Sequence, residues 1–143
     1  MAEGIFSKLL EEKQLINKIS CDSAGTSDYH IGESADTRMR STARKYNIEL
    51  THRARQLSVP DFKKFDYIIA MDESNHSNII THKGWKNKYA EKLFYMREYD
   101  EISVNMNVPD PYFGGQQGFE EVYQMLLKAS NRFLDHLIQK HQL

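Results

Sequence analysis

The segment with the clearest potential for chemistry is residues 108–115, which read V-P-D-P-Y-F-G-G and place one acid between two prolines. Each proline fixes its own φ near roughly −65° and disfavours helical backbone in the residue before it. We therefore expect the carboxylate of Asp110 on a stiff loop, beside the rings of Tyr112 and Phe113. Such an acid suits protonation of the oxygen that leaves a flat substrate. An ordinary turn is the alternative, because Asp-Pro followed by Gly-Gly is common loop chemistry.

The length and composition indicate a folded chain of one domain, residues 1–143, with 40% hydrophobic and 27% charged residues. The net charge of −1 gives no reason to expect nucleic acid or an anionic membrane as a partner. No apolar run approaches the length of a membrane span, and the first residues have no signal-peptide pattern. A cytoplasmic location is therefore the expectation.

Hydrophobic periodicity predicts strands that alternate with helices. The clearest strand covers residues 65–71, with weaker strands at 18–24, 56–58 and 91–96. Helices are predicted over residues 3–17, from a cap at Ser34 or Asp36 to about 46, from 72 to about 81, and over about 119–140. This alternation implies an α/β fold with a parallel sheet. The polar stretches 22–23, 72–73 and 108–111 follow predicted strands, so we expect them at one rim of the sheet.

Metal and cofactor chemistry is not indicated by the residue spacing. The single cysteine, Cys21, excludes an internal disulfide and a Cys-rich zinc site. The six histidines show no metal-ligand spacing, and the glycines of 114–118 follow no strand that would make them a dinucleotide loop. We therefore predict that the protein needs neither a metal nor a cofactor.

Five segments resemble the low-molecular-weight protein tyrosine phosphatases in order and spacing, namely residues 22–27, 52–56, 65–75, 109–114 and 118–123. The resemblance implies a three-layer fold, in which helices flank a four-stranded parallel sheet. It implies a phosphotyrosine protein or a small aryl phosphate as the substrate.

The same resemblance implies a role for seven side chains. Asp110 matches the general acid of the family, and Phe113 is a departure, because many members carry a second tyrosine there. The remaining matches are the substrate-contacting aromatic residues Tyr112, Phe113 and Tyr29, and the residues that support the phosphate loop by hydrogen bonds, Ser23, His52 and Asp72.

A larger departure concerns the start of the chain. The family begins with an interior strand and a C-x5-R-S phosphate loop, followed by the helix that here opens at Met1. We therefore expect a domain that is truncated at its N-terminus and lacks the nucleophilic cysteine and the arginine that holds phosphate oxygens. Cys21 does not replace the cysteine of that loop, because a C-x5-R pattern would need arginine at position 27, where this sequence has serine. No helix N-terminus that would lower its pKa is expected beside Cys21, so this residue is predicted to be a structural thiol.

Two explanations remain for this start: the protein continues upstream of Met1, or the chain is a remodelled relative. In either case we expect a phosphomonoester hydrolase by family whose activity in these residues is absent or very weak. The alternative is a non-catalytic module that holds an aromatic ligand or a partner chain at the rim formed by Tyr112 and Phe113. Loss of an interior strand would also expose a sheet edge, through which a homodimer could form.

Overall fold

The structure, a computed structural model, describes residues 1–27, 31–100, 105–111 and 114–143. Two 3₁₀ turns, Asn87–Lys92 and Met96–Tyr99, lie directly before and after the strand Leu93–Tyr95. The elements of these ranges are α1 (Ala2–Glu12), α2 (Thr37–Lys45), α3 (Val59–Lys64), β1 (Ile68–Ala70), α4 (Glu73–Ile80), β2 (Leu93–Tyr95) and α5 (Gly115–His141).

The sheet of the described residues consists of two parallel strands. β1 and β2 pair in the register Ile68 to Leu93, Ile69 to Phe94 and Ala70 to Tyr95. The α/β class with a parallel sheet is thereby confirmed. The resemblance implies four strands, of which the first is expected to be missing from this chain, and the described ranges contain two. Residues 18–24, predicted as a strand, are not paired in a sheet, and only an isolated bridge joins Gly25 to Gln56.

Alternation along β1 creates a layer on each face of the sheet. Tyr67, Ile69 and Met71 pack against the cluster formed mainly by α1 and α5. Ile68 and Ala70 point the other way, into a second cluster that contains the fully buried Phe62. Because successive side chains of a strand face opposite sides, three residues are enough to join both cores.

The larger core lies where α1 packs on α5. Their rings Phe6 and Phe133 stack with centroids 5.5 Å apart. α1 ends at Glu12 and not near residue 17, because Gln14 adopts a left-handed φ of 57° and the helix does not continue. α5 begins at Gly115, earlier than predicted. In the ranges that the structure describes, no helix has the length and apolar character needed to cross a bilayer.

Two predicted helix starts are confirmed, and both depend on an aspartate. The side chain of Asp36 accepts a hydrogen bond from the Arg38 amide at 2.8 Å, and Asp72 accepts one from the Asn75 amide at 2.7 Å. Each carboxylate satisfies an amide that the first helical turn leaves without a backbone partner.

A partly buried ion pair fixes α3 to the segment before it. The guanidinium of Arg55 donates to both oxygens of Asp61, at 2.9 and 3.2 Å, and Asp61 also accepts from the Ser58 amide at 2.8 Å. Asp61 is 8% exposed. Burial alone would raise the pKa of Asp61, but the bonds from Arg55 and Ser58 outweigh burial and lower it.

The sign of this pKa shift predicts how Asp61 contributes to stability. A lowered pKa means that Asp61 stabilises the fold above its unfolded value of about 3.9 and that this stabilisation is lost as the pH falls through the lower folded pKa. Asp61→Asn should therefore reduce the free energy of unfolding by about 1–3 kcal/mol at pH 7, and by less below pH 4. Urea unfolding followed by Trp85 fluorescence would measure this. Asp66→Asn, at an exposed position, is the control, and a loss for Asp61→Asn that does not change with pH would contradict the prediction.

Candidate active site

The loop that carries Asp110 lies at the carboxyl end of β1. The amide of Val108 donates to the carbonyl of Met71 at 2.7 Å, one residue beyond the strand. Asp72 follows and caps α4. The loop and the N-terminus of α4 therefore share one rim of the sheet, which is where ligands bind in open α/β folds.

The same loop also contacts the start of α5. The amide of Gly114 donates to the carbonyl of Pro111 at 3.0 Å. A side chain at Gly118 would place its Cβ 3.1 Å from that carbonyl oxygen, so this close approach favours glycine. The residues on both sides of Asp110 are thus held by backbone contacts, while Asp110 itself is exposed.

Asp110 and Asp72 line one shallow cleft of about 380 Å³, together with Glu73, Ser74 and the loop residues 107–109. Three of these side chains are carboxyls. The cleft can therefore donate or accept protons, and it lies at the positive end of the α4 dipole.

A second polar group surrounds His52. Its Nδ1 lies 3.3 Å from a carboxylate oxygen of Glu3 and 3.5 Å from one of Asp22. The hydroxyl of Ser23 donates to Glu3 at 3.2 Å, and the Ser23 amide donates to Asp22 at 2.8 Å. The opposite ring nitrogen, Nε2, is buried without a hydrogen-bond partner in the described part of the chain.

Asp22 connects this group to the ion pair of α3. Arg55 donates to Asp22 at 3.0 Å through Nε while its other nitrogens bind Asp61. Burial raises the pKa of Asp22, but the Ser23 amide and the charge of Arg55 more than compensate, and the pKa falls below its usual value.

Ligand atoms of Glu3, Asp22 and His52 lie within 4.8 Å of one another, a spacing that could hold a metal ion. Both carboxylates are already bound, however, by Ser23 and Arg55. The two carboxylates therefore already have hydrogen-bond partners without a metal ion, and the predicted independence from metals stays a prediction.

Cys21 lies beside this network in a half-buried position. Its Sγ is 3.1 Å from the hydroxyl of Ser7. Burial is the largest effect and raises the pKa of the Cys21 thiol. The hydrogen bond with Ser7 lowers this pKa by less than burial raises it, and the charges of Glu3 and Asp22 raise it further. A raised pKa keeps the sulfur protonated near neutral pH, and a thiol attacks far more slowly than a thiolate.

The structure divides the predicted site residues between two cavities. Asp110 and Asp72 share the cleft at the end of β1, whereas Ser23 and His52 line a separate cavity of about 500 Å³ that also includes Glu3. Among the described residues no side chain lines both. The predicted aromatic residues Tyr29, Tyr112 and Phe113 lie outside the described residues.

Sequence reasoning missed three polar residues of these sites. Glu3 was interpreted only as part of α1, yet it binds both His52 and Ser23. Arg55 belongs to the segment 52–56 that carries the family resemblance, which was the available signal. Asn107 had none, because its partner Glu73 lies 34 positions earlier in the chain.

Comparisons with known proteins agree with this geometry. The family model "Low molecular weight phosphotyrosine protein phosphatase" matches residues 1–143. The protein of that name from Schizosaccharomyces pombe is 40% identical over 135 residues, which are 94% of this chain and 85% of the relative. The one from Gallus gallus is 35% identical over the same shares.

A protein tyrosine phosphatase from Entamoeba histolytica, solved with Hepes in its active site, superposes with a TM-score of 0.90 at 34% identity. The match covers 99% of this chain and 89% of that one. The chain therefore belongs to the low molecular weight phosphotyrosine protein phosphatase family.

Proposed function

We propose that this chain serves the hydrolysis of phosphotyrosine or small aryl phosphates, with Asp110 as its general acid and base. The observation that carries the proposal is the bond from the Val108 amide to the Met71 carbonyl, at 2.7 Å. It fixes the acid loop to the rim of the sheet, and membership of the family supplies the substrate class.

In this reaction Asp110 has two tasks. As the ester P–O bond breaks and the phosphoryl group moves to the nucleophile, Asp110 transfers its proton to the phenolate oxygen. As a carboxylate it then takes a proton from the water that attacks the phosphoryl-enzyme, which releases phosphate and restores the acid. Tyr112, Phe113 and Tyr29 would form the walls for the aromatic ring, and no step needs a metal or cofactor.

The nucleophile of this reaction is not Cys21. Its half-buried thiol has a raised pKa, lies beside two carboxylates and is not followed by arginine at the sixth position. A phosphate dianion would also be repelled by Glu3 and Asp22. Residues 1–143 therefore supply the acid side of the reaction, with hydrolysis absent or very weak by themselves.

The unpaired Nε2 of His52 supports the proposal that a phosphate-binding element, not present in residues 1–143, packs beside this ring. A buried ring nitrogen without a partner costs about 1–3 kcal/mol. A backbone carbonyl or hydroxyl of a phosphate loop beside it would recover that cost. Ser23, His52 and Asp72 would then support such a loop, which is the role that the family resemblance gives them.

An assay with phenyl phosphate tests both halves of this proposal. We expect no turnover above background for residues 1–143, and turnover when a strand and a C-x5-R-S loop are fused before Met1. In that fusion Asp110→Asn should lower kcat/KM by about 10²–10⁴-fold, whereas the exposed Asp135→Asn should not. Turnover by residues 1–143 that Cys21→Ser abolishes would contradict the assignment of the nucleophile, and an active fusion unaffected by Asp110→Asn would contradict the acid.

The thiol of Cys21 can be titrated directly. Its raised pKa predicts that alkylation by iodoacetamide is slower at pH 7 than that of a small model thiol, and that the rate rises with a midpoint above the usual value of about 8.5. The time course followed by mass spectrometry at several pH values measures this midpoint. Rapid alkylation with a midpoint below pH 7 would instead be the behaviour of a catalytic cysteine.

The open edge of β1 favours self-association. In the described ranges β1 has a strand partner on one side only, and such edges pair readily with another chain. We propose that two copies pair through this edge. Sedimentation equilibrium should give an average mass that rises from monomer towards dimer with concentration, and a monomer at every concentration, with cooperative unfolding, would contradict it.

A further inference from the structure

The loop that carries Asp110 is held by the side chain of a residue three positions earlier. Asn107 is half-buried, and its Oδ1 accepts a hydrogen bond from the amide of Glu73 at 2.7 Å. Glu73 is the first residue of α4, so this amide has no partner inside the helix. Asn107 thus caps a helix to which it does not belong in sequence.

Two side chains divide the capping of α4 between them. Asp72 accepts from the amide of Asn75, and Asn107 accepts from the amide of Glu73. The amide group of Asn107 also donates to the Glu73 carboxylate at 3.4 Å. The bond between Asp72 and Asn75 stabilises the start of the helix only. The two bonds between Asn107 and Glu73 also join the helix to the acid loop.

The backbone of the loop is fixed at the same place. The carbonyl of Asn107 accepts from Nη1 of Arg97 at 2.9 Å, and its amide donates to the side chain of Asn105 at 2.9 Å. The next amide, of Val108, binds Met71. Pro109 then transmits this position to Asp110, because its ring removes the freedom of φ.

Arg97 is itself anchored in the protein. Its side chain is 14% exposed, and Nη2 donates to Asp100 at 3.2 Å. Asp100 lies 3.9 Å from the ammonium of Lys128 on α5. The contact of Arg97 with the loop is therefore made by a group with little freedom to move.

We propose that Asn107 is a positioning residue for Asp110, because it holds the acid loop at the N-terminus of α4. This inference rests on the proposed role of Asp110 as the acid. Loss of the Asn107 side chain releases the loop from Glu73 and lets Asp110 shift relative to the cleft. In enzymes a displacement of about 1 Å can lower the rate about 10²-fold.

Amide hydrogen exchange and chemical shifts of residues 1–143 test the link without any substrate. In Asn107→Ala the amides of Glu73 and Val108 should exchange about 2–10-fold faster, and the Asp110 amide resonance should move. Asn107→Asp keeps an acceptor for the Glu73 amide and should restore slow exchange of the Glu73 and Val108 amides, but its new charge replaces the donor to the Glu73 carboxylate, so the Asp110 resonance is not expected to return fully. The control Asn131→Ala, at an exposed position of α5, should change none of them.

A result with faster exchange at Glu73 alone, and Val108 and Asp110 unchanged, would overturn the proposal, because Asn107 would then only cap α4.

The fusion that carries a strand and a C-x5-R-S loop before Met1 gives a second readout. Asn107→Ala should lower kcat with little change in KM, and more for phenyl than for p-nitrophenyl phosphate, since the poorer leaving group depends more on the acid. Equal losses for both esters would overturn positioning, whereas absence of any turnover refutes the proposed function and leaves the exchange result standing.

Discussion

The hydrogen bond between the Val108 amide and the Met71 carbonyl connects the candidate acid to the rest of the fold. Met71 has a defined position because β1 is held from both faces, by Ile69 in the larger core and by Ala70 in the smaller one. A strand of three residues has few ladder bonds of its own, so side-chain burial must fix it. The position of Asp110 therefore depends on the alternation of apolar residues along β1.

Helix α4 balances the charges at this rim. Asp72, Glu73 and Asp110 bring three carboxyls to one cleft, and like charges at this density repel one another. The positive end of the α4 dipole reduces that repulsion, as does the hydrogen bond from the Asn75 amide to the Asp72 carboxylate. The cleft lining that the structure describes contains no basic side chain, so it suits the transfer of a proton to a leaving group better than the binding of a phosphate dianion. Arg55, which could bind an anion, is already shared between Asp61 and Asp22.

Local signals in the sequence predicted much of this arrangement. The strand before Asp72, the helix starts near Asp36 and Asp72, and the long apolar stripe of α5 are each determined by residues within a few positions, and all are confirmed. The predicted end of α1 was wrong. The helix stops before a left-handed residue, Gln14, and the sequence has no glycine there that would indicate such a turn. Segment 18–24 was also interpreted as a strand, since its residues suit one, but strand formation needs a neighbour that no local pattern reveals. Asn107 depends in the same way on a distant partner.

The division of the predicted residues between two cavities bears on how this fold would hold phosphate. The family resemblance gives Ser23, His52 and Asp72 a common task, yet here Ser23 and His52 bind Glu3 and each lines the cavity away from Asp72. The carboxylates of Glu3 and Asp22 lie on the Nδ1 side of the imidazole, and Nε2 is buried without a partner in the described part of the chain. Such a group is costly unless it meets an acceptor or donor. The unpaired nitrogen is therefore the atom to which the proposed phosphate loop would supply a hydrogen-bond partner, and the same contact would bring His52 into the task that the resemblance gives it.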